Sequence, residues 1–287
     1  MKISRRDFAK AAIGAPFVAA AVPAFARINS KIDGVMIGAQ TYSFRELPTL
    51  DDCIHAMQEI GLGYAELWEV QIEPRDGQKL EAWRTHPPLD DLRAVRKKFD
   101  DAGIVIYAFT YGFRDEFTDE QIEQGFVMAR ALGTNRITSS ANVDIAGRVD
   151  KYAQKYETYV GYHNHDSMKP NEFSTPDDWK KALEGRSKYA GINLDIGHFT
   201  AAGFDPVSFL EEHHERIVTL HIKDRKKNHG ANTPFGEGDT NIKGVLQVLK
   251  TKQYPIPAMI EYEYNQPGLD TVVEVRRCFD YMKAALA

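Results

Sequence analysis

The sequence predicts an α/β protein of the (β/α)8 TIM-barrel class, a single domain preceded by an export signal. Three observations predict it. Eight short apolar runs alternate with polar helical stretches between residues 30 and 287, the rhythm of a parallel sheet covered by helices. No low-complexity linker divides that span, and eight units without a second domain favour a closed barrel over an open doubly wound sheet. No Gly-x-Gly-x-x-Gly follows the first strand, so a dinucleotide-binding sheet lacks its fingerprint.

The elements follow in order. Residues 1–26 read as a twin-arginine signal: Ser4-Arg5-Arg6-Asp7-Phe8-Ala9-Lys10, an Ala-rich apolar stretch too short to span a bilayer, then Ala24-Phe25-Ala26 as a small-x-small cleavage site. The expectation is export by the Tat machinery to the periplasm, with cleavage near Ala26. The strands are expected at 35–42, 64–70, 104–110, 136–140, 159–165, 190–196, 217–223 and 258–264. Helices are expected near 49–60, 88–102, 118–132, 147–156, 175–185, 205–214, 240–252 and 269–285. Thr49, the Ser174-Thr175-Pro176 turn and Asp205-Pro206 supply helix starts. Gly61, Gly103 and Gly133 stand where helices end in the left-handed region. The stretch from Val70 to Pro88 reads as a long loop able to act as a lid.

Composition narrows the function. Of the chain's 36 basic and 41 acidic residues, 32 and 40 remain after residues 1–26 are removed, a net charge of −8. With no basic run longer than 223–227, nucleic acid and anionic membrane surfaces are poor partners. Cys53 and Cys278 are expected as two buried thiols, with a disulfide open because their helices would be neighbours in a closed barrel.

Barrel strands alternate inward and outward residues, and active sites lie at their C-terminal ends. The polar residues share one phase. Glu66 and Trp68 take it in strand two, and His163 and His165 in strand five. Asn193 and Asp195 follow in strand six, His221 and Lys223 in strand seven, and Glu261 and Glu263 in strand eight. The opposite phase is apolar, as helix packing requires. So many inward ionisable groups are costly to bury unpartnered, and a divalent cation offsets the clustered charge.

The residues differ in what they allow. Asp195, in Asp-Ile-Gly-His198, is a cation ligand or the cap of the next turn. His221 and Glu261 share its phase. Of Glu261 and Glu263, one reads as ligand and the other as proton carrier or substrate contact. His163 and His165 are a metal pair or a substrate-binding wall. Glu172 lies in the loop after strand five, and Glu66 is open to pairing with Arg45. Gly236-Glu-Gly-Asp239 reads as a turn and cap rather than a phosphate cradle. No Gly-x-Ser-x-Gly follows a strand, so a Ser-His-Asp hydrolase has no support.

These pieces resemble the sugar isomerase/epimerase superfamily with the xylose-isomerase-like barrel. The resemblance runs through Gly38-Ala-Gln40-Thr-Tyr42-Ser-Phe-Arg45, Ala65-Glu66-Leu67 and Gly161-Tyr-His-Asn-His165-Asp. It continues through Leu194-Asp195-Ile-Gly-His198, Leu220-His221-Ile-Lys-Asp224, Phe235-Gly-Glu-Gly-Asp239 and Ile260-Glu261. It implies one divalent ion (Mn, Mg, Co or Zn) held by Glu172, Asp195, His221 and Glu261, with His163 or His165 as alternatives to Glu172. The implied chemistry is proton abstraction beside a carbonyl through an enediolate. Glu172, Glu261, Glu263 and His163 are the catalytic candidates. Gln40, Tyr42, Glu66, Trp68, His165, His198 and Lys223 are the expected contacts of a small sugar substrate, with Phe113 as a possible shield. A lyase or dehydratase acting on a keto-sugar, inosose or 3-keto-glycoside through the same enediolate, and a non-enzymatic sugar-binding role, are the alternatives, and a homo-oligomer is open.

Overall fold

The computed structural model describes residues 26–264 and 268–287. All but the last residue of the expected export signal lies outside the described residues.

Eight parallel strands close into a barrel in chain order. They are β1 (Val35–Gln40), β2 (Tyr64–Trp68), β3 (Val105–Thr110), β4 (Arg136–Ser139), β5 (Tyr159–His163), β6 (Ala190–Asp195), β7 (Ile217–Ile222) and β8 (Ala258–Ile260). β8 pairs with β1, and β1 with β2, so the sheet closes. Closure removes the open edges that would invite aggregation. Gly38 on β1 permits close approach inside the barrel: a Cβ there would meet the Tyr64 carbonyl oxygen at 2.4 Å and Met259 Sδ at 2.5 Å.

The outward phase builds the core. Ile37, Leu67, Phe109, Ile137, Val160, Leu194, Leu220 and Ile260 are all fully buried. Burying each such side chain contributes about 1.5–3 kcal/mol. The surrounding helices include α1 (Leu50–Ile60), α2 (Gly77–Thr85), α3 (Leu89–Asp101), α4 (Asp119–Ala131), α5 (Ala146–Tyr156), α6 (Pro176–Leu183), α7 (Ile196–Ala201), α8 (Pro206–His213), α9 (Ile242–Lys252) and α10 (Thr271–Leu286). Thr49 and Asp52 form a reciprocal capping box at α1, and Thr175 and Asp178 another at α6, where Pro176 opens the helix. α1 stops because Gly61 turns to φ +91°, where its N–H reaches the Met57 carbonyl.

The structure departs most from the sequence-based expectation in three places, and β1, β2 and β5 each end two residues short of it. The 70–88 stretch is not an irregular loop, because it contains α2. Asp76 caps that helix, and Arg84 and Glu73 tie it down through two hydrogen bonds of 2.9 and 2.7 Å. No α2 residue is fully buried, so no apolar period announced it. Strand β8 ends at Ile260, short of the expected 264. A six-residue helix, α7, follows β6 at once. All six of its residues are buried, so no amphipathic period marks it off from the strand. Cys53 and Cys278 are free, buried thiols, and burial pushes both up to about 12. No described helix is long and apolar enough to cross a membrane.

Candidate active site

The C-terminal ends of β5–β8 bring four buried side chains together. His163 ends β5, Asp195 ends β6, His221 lies near the end of β7, and Glu261 follows β8. One ligand atom from each lies within 4.8 Å of all the others. Strand register explains the meeting: Asp195 pairs with His221 across β6 and β7, and the Glu261 N–H donates to the Ile222 carbonyl at 3.0 Å.

Asp195 caps the next turn with one oxygen and turns the other toward His163. Its Oδ1 accepts the His198 N–H at 2.7 Å and caps α7. Its Oδ2 is buried and accepts no hydrogen bond. His163 Nε2 is likewise buried without a hydrogen-bond partner and lies 3.6 Å from Asp195 Oδ2. Orphaned buried polar atoms are rare and need an explanation. Two imidazoles and two carboxylates gathered at one point, two of their atoms without a hydrogen-bond partner, suit a divalent cation. This buried group can hold a metal ion.

A second layer orients the first. His221 lies between two carboxylates: Nδ1 is 3.1 Å from Glu261 Oε2, and Nε2 is 2.8 Å from Glu66 Oε1. Glu66 Oε1 also accepts from Thr138 Oγ1 at 2.7 Å and from Gln40 Nε2 at 3.2 Å. Gln40 donates in turn to Thr110 at 2.7 Å. A carboxylate behind a ligating imidazole fixes its tautomer and raises its basicity. Arg45 is not Glu66's partner, since its guanidinium donates to the backbone carbonyls of Tyr42 and Tyr262.

Lys223 occupies the centre of the charge. Its Nζ lies 3.0 Å from Asp195 Oδ2, an ion pair without hydrogen-bonding angles, 2.9 Å from Glu261 Oε2 and 2.6 Å from Glu263 Oε2. Burial lowers its basicity, but the three carboxylates outweigh that and hold the ammonium above its usual range. Burial likewise raises Asp195 and Glu261, and Lys223 with the neighbouring histidines brings both well below the carboxylate range. His221 is raised: burial opposes its charge, and Glu66 and Glu261 overcome that. Burial lowers His163, and it lowers His165 to about 3. Asp166 is pulled down chiefly by His198, with Arg225 2.7 Å away.

Beside these groups lies a cavity of about 290 Å³. Gln40, Tyr42, Glu66, Trp68, His163, His165, His198, His221, Lys223, Glu261 and Glu263 all reach it. Tyr42 and Trp68 meet edge to face at 4.9 Å and form one wall. Glu172 does not join them. It accepts from Ser167 and lies 3.9 Å from Lys169, lining a neighbouring cavity instead. The loop after β5 holds it away, and His163 takes the fourth corner. Phe113 is fully buried against Tyr111 and Phe126 and shields nothing in the cavity. The sequence reading missed Thr110, Thr138, Ser139 and Ser140, which line the cavity from β3 and β4 and the segment beyond. Extending the inward phase to those strands would have found the first two. Asp224, beside this site, accepts the N–H groups of Gly236 and Gly238 at 2.8 and 3.0 Å, so the Gly-Glu-Gly segment wraps a carboxylate.

A 93-residue stretch is 33% identical to L-ribulose-5-phosphate 3-epimerase UlaE of Escherichia coli, covering 32% of this chain and 32% of that one. A solved sugar phosphate isomerase/epimerase from Parabacteroides distasonis superposes with a TM-score of 0.66 at 19% identity, over 90% of this chain and 98% of the other. A solved IOLI protein with a bound zinc atom gives a TM-score of 0.63 at 15% identity, over 88% of this chain and 96% of the other. At these identities the two structures speak for the fold. The family model described as xylose isomerase-like TIM barrel matches residues 54–282. With that match across most of its barrel, the chain belongs to the xylose isomerase-like TIM-barrel family.

Proposed function

We propose that this protein is a divalent-metal-dependent isomerase or epimerase of a small sugar or keto-sugar, working by proton transfer at a carbon beside a carbonyl. The observation that carries this is the convergence of His163, Asp195, His221 and Glu261 within 4.8 Å at the barrel mouth. The orphaned His163 Nε2 and Asp195 Oδ2 in that group support it. Those four residues would hold the ion, and His163 replaces Glu172 in the set the sequence suggested. When bound, the ion supplies Lewis-acid polarisation of substrate oxygens. The zinc of the IOLI protein is in keeping with such a site.

The chain's own groups do the rest. Glu66 and Glu263 are carboxylates that line the cavity outside the four-residue group. Removal of a carbon-bound proton by one and its return by the other gives inversion, and return to the adjacent carbon gives isomerisation. The Lys223 ammonium supplies a fixed positive charge for the oxygen that becomes negative. His165 offers ring nitrogens to hydroxyls, and Trp68 with Tyr42 offers an apolar face to a sugar ring.

The test is metal analysis of the purified protein, followed by incubation with keto-sugars in D₂O and NMR. The expected result is one tightly held divalent ion per chain and deuterium at the carbon beside the carbonyl, both lost in Asp195→Ala. Exchange that survives in Asp195→Ala sinks the site. Exchange accompanied by loss of water makes the enzyme a lyase. The Arg5-Arg6 pair further supports a periplasmic location reached by Tat export; retention of an Arg5→Lys, Arg6→Lys double variant inside the cell, with the unaltered chain outside the inner membrane, is the expected fractionation.

A further inference from the structure

We propose that the cavity beside the candidate active site is a second subsite, which binds a further neutral sugar unit attached to the one that reacts. This rests on the sugar-enzyme reading above. The second cavity is about 430 Å³ against about 290 Å³ for the first. Small-molecule pockets run from about 300 to 1,000 Å³, so the first alone is at the small end. The two are neighbours through shared walls, because Ser140 and His165 line both. Ser140 Oγ lies 3.4 Å from His163 Nδ1, which puts the junction beside the four-residue group.

The chemistry of the second cavity selects a polyhydroxylated, uncharged ligand. Arg114 and Lys169 are its cations, Asp166 and Glu172 its acids. Two cations and two acids leave the lining without net charge; Lys169 Nζ lies 3.9 Å from Glu172 Oε1, while the partner of Asp166 at 2.7 Å is Arg225, outside the lining. A phosphate or carboxylate entering here meets two carboxylates, and a cation meets two positive groups. A sugar hydroxyl both donates and accepts, and it finds carboxylate acceptors, guanidinium and ammonium donors and the Asn142 amide around it. Glu172 keeps a side chain 34% exposed, free to accept from such a hydroxyl. Its role is to hold the second unit, which is why the fold keeps it out of the four-residue group.

The test is isothermal titration of the full chain, loaded with Mn²⁺ or Zn²⁺, with paired sugars: glucose against cellobiose and maltose, galactose against lactose, and xylose against xylobiose. At least one disaccharide is expected to bind tenfold or more tighter than its monosaccharide. Arg114→Ala and Glu172→Gln are each expected to cut that ratio to threefold or less while the bound metal stays at the wild-type amount. No disaccharide advantage in any pair overturns the subsite, as does a ratio that both variants leave intact. Loss of metal in Glu172→Gln also overturns it, by returning that residue to the ion. Deuterium exchange separates the two claims. Exchange without a disaccharide advantage sinks the subsite alone, and an advantage without exchange sinks the proposed reaction alone.

Discussion

The two halves of the barrel mouth are built from different chemistry. Strands β5–β8 deliver His163, Asp195, His221 and Glu261, followed by Lys223 and Glu263. Strands β1–β4 deliver Gln40, Thr110, Thr138 and Ser139, neutral groups, with Glu66 as the one carboxylate reaching the cavity. That carboxylate crosses the barrel to His221 at 2.8 Å. One half concentrates charge around a point, and the other supplies hydrogen bonds that aim it. The division teaches that charge alone does not make the site. The imidazole at its centre is oriented from the far side, by Glu66 and the Thr138 and Gln40 donors that hold it.

The sharpest way to break the comparison is to remove a ligand from the charged half. Asp195→Ala or His221→Ala is expected to weaken Mn²⁺ or Zn²⁺ binding by more than ~100-fold, beyond what outer-layer changes cost. Calorimetric titration of apoprotein checks it.

Next is the buried carboxylate at the edge of the neutral half. Glu69 is buried, and burial, with help from Glu73, pushes it up to about 7. A folded value above the unfolded one of about 4.3 means that Glu69 favours folding fully below that pH, and that this contribution is lost as pH rises through about 7. Glu69→Gln is therefore expected to match the wild type near pH 4 and to exceed it by about 3 kcal/mol at pH 8.5. Urea unfolding at both pH values measures this, and equal gains at both would refute the assignment to titration.

Glu66→Gln sharpens the comparison from the neutral side. It keeps the shape but removes the charge behind His221, and is expected to cost ~10–100-fold in metal affinity and activity. An unchanged affinity with lost activity would leave Glu66 with proton transfer alone. The smallest effect has the opposite sign. The Lys223 ammonium takes up the Asp195 and Glu261 oxygens that a cation would use, at 3.0 and 2.9 Å. Lys223→Met is expected to tighten metal binding by about tenfold, the ~1.4 kcal/mol by which like charges at such spacing repel in a well-screened cavity mouth. The same variant is expected to lose turnover, because the positive charge at the reacting oxygen is gone.

Much of this was legible in the sequence, for a specific reason. A barrel strand alternates faces, so an inward His or Glu cannot hide among outward Val and Leu. The phase of Asn193-Leu-Asp195, Thr219-Leu-His221 and Met259-Ile-Glu261 therefore pointed to the residues that the fold brings together. His163 carried the same signal. The resemblance alone points to Glu172 as a ligand, and its position in an irregular loop has no phase to read. The helices α2 and α7 were not legible either. The first buries none of its residues fully, and the second is six residues long and buried on every side, so neither shows a helical period. The His221–Glu66 contact joins residues 155 apart in sequence, and only closure of the barrel creates it.

Anomalous X-ray scattering from crystals of the Mn²⁺- or Zn²⁺-loaded protein tests the central claim most directly. The account predicts one strong peak at the barrel mouth, bonded to His163, Asp195, His221 and Glu261, with Glu66 behind His221. A peak bonded to Glu172, or an ion held elsewhere while those four side chains bind only one another and Lys223, would contradict it.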